Sequence, residues 1–365
     1  MRVVFAPDSF KGSAAAAAVA RALAAGWASE RPGDDLVARP MADGGEGTMA
    51  AFESAIAGGR RMPVEVHGPD GEPRDAAWLL LPDGTGVVEL ASTSGIELLG
   101  DRRLPWDADT RGFGEAIAAA LDAGVQRLVL GIGSSASTDG GAGLLTALGA
   151  RAMDASGHPV ARGARGLDAV HAVDLGCVRP PPPGGVQVLT DVTSPLLGQT
   201  GAAAVFGPQK GIDDVPRAEA ALARWAGVVA VDPAVPGAGA AGGAGFGLLA
   251  WGARLVPGAA TVAALVGLPA AAGVASLLVT GEGSYDGQSA AGKAPAQVAA
   301  IAGAHGVPVA LVAGRVDAGA DTSGFAASLS LVELAGSPEA ALREPERWLH
   351  AAGARLARLA EDARR

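Results

Sequence analysis

The chain has 365 residues, 49% of them hydrophobic, and a formal charge of −10; that length supports two domains, each with its own core. An acidic surplus without a basic stripe excludes nucleic acid as a partner, because nothing would release counterions from a phosphate backbone. A single cysteine, Cys177, excludes an internal disulfide and a cysteine-based zinc site, and fits a reducing cytoplasm.

Arg2 is followed by only four apolar residues before Pro7 and Asp8, too short a run for a signal peptide. Residues 3–6 read as a strand, and residues 14–30 as a helix that Ser13 would N-cap. A second strand follows at 36–39 and a helix near 47–57. Residues 63–90 read as a meander, with turns at Pro69-Asp70-Gly71 and Pro82-Asp83-Gly84. Residues 127–132, 186–189, 277–280 and 309–312 are short apolar runs ending in Gly or Asp, as buried parallel strands do.

The proline run at 179–185 is expected to be a surface connector, and the Gly/Ala stretch 237–247 a linker or a loop closing on a ligand. Residues 255–281 carry no charge and could span a bilayer by length. Pro257 and Pro269 interrupt them, so a buried helix, a turn and a core strand are expected, and no membrane partner. Residues 344–365 form an amphipathic helix with Trp348, Leu349, Leu356 and Leu359 inward. Because the βα pattern is most regular at both ends, a discontinuous parallel domain is expected over 1–60 plus 275–365. A domain with some antiparallel strand, 61–274, is inserted into it.

Chemistry concentrates where apolar strands run into glycines bearing carboxylates, hydroxyls or lysines. These are residues 6–13, 41–48, 131–143 and 280–287, with Asp191 and Lys210. Glycine lets backbone amides approach an anion, and carboxylates hold a hard cation. Loops at the carboxyl ends of parallel strands are also where open α/β sheets place ligands. The mixture points to a phosphorylated, magnesium-bound ligand. Residues 287–294 miss the phosphate-loop pattern because Ala294 replaces its hydroxyl residue, yet Lys293 still precedes a helix. Residues 131–136 resemble a dinucleotide fingerprint, but residues 137–141 delay the helix that should meet the pyrophosphate. For Asp139 the competing role is ordinary turn and N-cap chemistry. The histidines, His67, His158, His171, His305 and His350, lie outside every motif, which removes Ser-His-Asp hydrolysis and the usual zinc sites.

Six blocks taken together, at 6–13, 41–48, 131–150, 191–211, 237–243 and 280–295, resemble the type 1 bacterial glycerate kinases in order and over nearly the whole chain. The resemblance implies two α/β domains, one flavodoxin-like with a parallel sheet and one of mixed sheet, with the active site in the cleft between them. It implies a kinase using ATP and Mg2+ to convert D-glycerate to 2-phosphoglycerate in organic-acid and glyoxylate-type carbon metabolism. A cytoplasmic enzyme is expected from the cysteine usage, and its oligomeric state, monomer or homodimer, is left open by the sequence. The sequence departs from the family pattern at Ser134, Ser137 and Thr138 for Gly, Thr and Asn, at Ser194 for Asn, and at Ser284 for Arg. Arg111 or Arg315 could replace the cation missing at 284.

The placement of these residues after strands makes Lys11, Ser9 and Arg111 the candidates to hold the glycerate carboxylate, and Asp191 or Asp8 the candidate to take the proton of the attacking hydroxyl. Asp43, Asp139 and Glu282 are candidates for direct or water-mediated magnesium binding. Lys293 with the backbone of Gly131, Gly133, Ser134 and Ser135 is expected to face the ATP phosphates, with Lys210 as a second candidate. The alternatives are a 3-kinase, a nicotinamide-dependent oxidoreductase using residues 131–136, and a non-catalytic glycerate sensor.

Overall fold

The computed structural model describes residues 1–286 and 294–362; Lys293 and the rest of 287–293 lie outside them. The chain divides into two compact units, Met1–Asp43 with Ala50–Ala57 and Ala259–Arg365, and Gly44–Met49 with Gly58–Gly258.

The first unit is built on a five-stranded sheet in the order Ala327–Ser330, Val309–Val316, Leu277–Tyr285, Arg2–Pro7, Asp35–Ala38, and every pairing is parallel. In chain order this is the flavodoxin-like 2-1-3-4-5 arrangement, whose direction of winding reverses between the first and third strands. Val3, Phe5, Val279 and Val312 are fully buried, as the apolar runs required. The helices Ala16–Glu30 and Pro345–Asp362 pack so closely that a Cβ on Gly26 or Gly353 would overlap the other helix's backbone. Ser13 does not cap the first of these. Its hydroxyl donates to the Phe10 carbonyl at 3.0 Å, closing a turn, and the helix starts two residues later with Ala15 at the N-cap.

The strand expected at 277–280 continues to Tyr285 and the one at 309–312 to Val316, because the two pair as far as Tyr285↔Val316. Gly281 and Gly283 therefore lie in a strand and not in a loop after it.

The second unit carries a mixed six-stranded sheet in the order Arg254–Val256, Val186–Leu189, Arg127–Gly131, Thr85–Glu89, Pro73–Leu80, Arg60–His67. The first four run parallel and the last two add antiparallel, which is the meander read from the turns at 69–71 and 82–84. The charge-free stretch after Arg254 folds as a short strand, two helices, Gly258–Leu265 and Leu268–Ala272, and the start of Leu277–Tyr285. Among the described residues no helix is long and apolar enough to cross a membrane.

Residues 237–247, expected as a linker or a loop closing on a ligand, belong mostly to a helix. They enter the helix Ala240–Ala250 through left-handed backbone at Ala241, Gly242 and Gly243, and most of them are buried. The absence of side chains is what lets this segment pack backbone against backbone: a Cβ on Gly243 would stand 2.7 Å from Gly140 Cα.

Candidate functional site

In the first unit three carboxylates gather where the winding reverses. Asp8 follows Arg2–Pro7, and its amide donates to the Gly281 carbonyl at 2.8 Å, extending the pairing with Leu277–Tyr285. The chain after Asp35–Ala38 also runs beside that strand end, since the Met41 amide donates to the Pro7 carbonyl at 2.8 Å. Asp43, two residues on, is exposed. Glu282 is buried in the third strand at 8% exposure. Burial, then the charge of Asp43, then that of Glu282, push the Asp8 carboxyl up to about 7, against the pull of the Ser9 amide. That amide donates to Asp8 Oδ1 at 2.6 Å. Lys11 is exposed on the turn between Phe10 and Ala14, which form an isolated bridge. Arg315 lies across from Ser284 in the sheet register and reaches its hydroxyl at 3.4 Å.

The second unit uses similar motif residues differently. Asp139 is fully buried and both carboxylate oxygens are engaged. It accepts from the Thr110 amide (2.9 Å) and hydroxyl (2.8 Å), the Ser137 hydroxyl (3.3 Å), and the amides of Gly141 and Gly143 (3.1 Å each). Five donors commit this carboxylate to holding its loop, the turn role weighed against metal binding. Gly133 donates its amide to the Gly44 carbonyl at 3.0 Å, and a Cβ there would stand 2.5 Å from Gly45 Cα. Gly131 is as constrained, with the Gly44 carbonyl oxygen 2.9 Å from where its Cβ would be. These glycines let residues 44–45 lie on the strand ends, and the Gly133 amide is not open to a phosphate.

Ser134 adopts φ +60°, a left-handed conformation that suits the glycine of the family pattern better than serine. Its carbonyl accepts from the Ile96 amide at 2.8 Å. Ser135 is buried, and its hydroxyl meets that of Ser137 at 3.2 Å. Lys210 is 3% exposed and donates to the Ser137 carbonyl; burial pushes its ammonium down to about 8 against the opposing pull of Asp139. It braces this loop from within. Arg111 is exposed and pairs with Glu115 at 2.8 Å. Asp191 follows Val186–Leu189, is exposed, and accepts from the Gly258 amide at 2.9 Å.

Two acids of this unit escape a reading by motif. Asp109, 3% exposed, accepts from the Arg111 amide at 3.0 Å, and burial and the Asp139 charge push its carboxyl up to about 6. Glu89 ends a strand as Asp8 follows one, a signal hidden by its place in the meander. It is 6% exposed and accepts from the Met49 amide at the start of the helix Thr48–Ala55. Burial pushes its carboxyl up to about 7 despite the amides of Met49, Gly47 and Thr48. In the unfolded chain this acid ionises near its ordinary 4.5, so between that value and about 7 the folded state holds more protons. Its contribution to stability therefore falls as pH rises through that window. Glu89→Gln removes the titration, and relative to wild type it gains on the order of 3 kcal/mol between pH 4.5 and 7. Urea unfolding at pH 5 and pH 8 measures this; an identical wild-type-to-variant difference at both contradicts the assignment.

Comparison with known proteins gives the family. Residues 3–361 match the model of the glycerate kinase family. A glycerate 2-kinase from Escherichia coli is 40% identical over 327 residues, covering 87% of this chain and 86% of that protein. A glycerate kinase from Halalkalibacterium halodurans is 37% identical over 369 residues, covering 97% of each. The crystal structure of a candidate glycerate kinase 2 from Salmonella typhimurium superposes with a TM-score of 0.85 at 38% identity, covering 100% of this chain and 99% of that one. With the whole chain matched in sequence and fold, the conclusion is direct: this protein belongs to the glycerate kinase family and is a phosphotransferase.

Proposed function

We propose that the protein transfers the γ-phosphoryl group of ATP to the 2-hydroxyl of D-glycerate, with Mg2+, in a reducing cytoplasm. The observation that carries this reading is the trio Asp8, Asp43 and Glu282 at the reversal point of the parallel sheet, where mutual repulsion helps to raise the Asp8 carboxyl to about 7. Ligands of such sheets bind at that point. The name of the Escherichia coli relative, a glycerate 2-kinase, favours the 2-phospho product.

Among the described residues no three acid, histidine or cysteine side chains are arranged to hold a metal ion unaided. Mg2+ commonly takes one or two carboxylates and completes its shell with water and substrate phosphates. Asp43 and Glu282 fit that demand, because a divalent charge would relieve the repulsion they exert on Asp8. When bound, the ion neutralises charge on the triphosphate. Asp8 takes the proton of the attacking hydroxyl on its carboxylate. Burial is the larger cause of its raised pKa and persists when its neighbours are neutralised, which keeps it close to the ideal for a base at neutral pH. The Ser9 amide holds Asp8 in place, and exposed Lys11 receives the glycerate carboxylate. Lys293 is assigned to the ATP phosphates.

The test is the ³¹P spectrum of the reaction product. Phosphate on the 2-hydroxyl couples to the lone proton on that carbon and gives a doublet. A triplet, from coupling to two protons, overturns the 2-phospho assignment, and loss of ATP to inorganic phosphate alone overturns the acceptor.

A further inference from the structure

A cavity of about 750 Å³ lies wholly within the second unit, inside the size range of small-molecule sites. Ala152, Met153, Val160 and Leu167 line it with apolar surface, while Asp109, Arg111 and Arg162 bring charge to it. Arg151 also lines it, from an exposed position, while the other charged groups in and around it are engaged. Asp70 accepts from Arg74 and Arg102 at 2.8 Å each, and Glu115 is shared by His67 and Arg111, both at 2.8 Å.

Arg162 is exposed and makes no close ion pair among the described residues, though its charge reaches Asp107 and Asp109 and favours their ionised forms. Its guanidinium lies over Gly71, close enough that a Cβ there would overlap it. Asp109, nine-tenths buried, uses Oδ1 for the Arg111 amide and lines the cavity. A guanidinium without a close ion pair, a buried acceptor near enough to feel its charge and the apolar lining define the complementary ligand.

We propose that this cavity binds a small organic anion with an apolar body, its acid group held by Arg162 beside Arg111 and a hydroxyl or amine donor facing Asp109. An adenine nucleotide and a metabolite acid share that chemistry. This goes beyond the phosphoryl-transfer reading and does not depend on it, because binding is read without turnover.

Anilinonaphthalene sulfonate, an apolar body with one anionic group, serves as the fluorescent probe on the full chain. The wild-type protein binds it at one saturable site. Arg162→Gln, at an exposed position, weakens binding by about ten-fold, the scale of one charge-assisted hydrogen bond. Thr146→Trp, which fills the cavity from an exposed lining position, abolishes it. If ATP displaces the probe and Arg162→Gln raises the KM for ATP to match, the anion is the nucleotide. If ATP leaves the probe in place, it is a metabolite acid. Wild-type affinity in both variants, or no saturable binding by the wild type, overturns the proposal.

Discussion

Asp8→Asn lowers kcat by about 10²-fold or more, the scale of general base catalysis, with the KM for ATP nearly unchanged. The amide side chain matches the carboxylate in shape and keeps an oxygen for the Ser9 amide, 2.6 Å away in the native protein, so the loss reports proton transfer. Asp191→Asn serves as the contrast. Asp191 is exposed and accepts from the Gly258 amide, a bond an asparagine oxygen also accepts, and with Asp8 as the base turnover stays near wild type. The opposite pattern, a normal kcat for Asp8→Asn and a collapsed one for Asp191→Asn, moves the base to Asp191.

Gly242→Ala destabilises the protein by about 2–5 kcal/mol, summing a left-handed alanine and overpacking. Gly242 has φ +68°, and its added Cβ would overlap the Ser137 carbonyl oxygen and stand 2.8 Å from Lys210 Nζ. The bond that Lys210 makes to that carbonyl is displaced with it. Gly267→Ala isolates the backbone component, because φ there is +72° with nothing within 4 Å of the new Cβ; its cost is about 1–2 kcal/mol. Equal unfolding midpoints for the two variants contradict the close packing of residues 242–243 on 137–140.

The parallel strands were legible because short apolar runs lead into a glycine or an acid, and Asp8 was legible for the same reason. Its partnership with Glu282 was not, since the two come together only through the register Val3↔Leu277. Asp139 bears the same local signature as Asp8, a strand, glycines and an acid. Its surroundings differ through Thr110, which supplies two of its five donors. Lys210 shows the same limit: a lysine between glycines reads as an anion ligand, and only its burial at 3% exposure reveals a brace. Residues 237–247 looked like a linker because alanine and glycine carry no periodic side-chain pattern, yet the missing side chains are the reason they pack so tightly. Ser13 was a sound N-cap by residue type, but the turn closed by Phe10 and Ala14 engages it first.

The central claim, that this chain phosphorylates D-glycerate, is tested most directly by following ADP release from ATP and Mg2+ with and without the acid. The account predicts release that requires D-glycerate, saturates with it, and falls with Asp8→Asn. Release at the same rate without D-glycerate, or none with it present, contradicts the account.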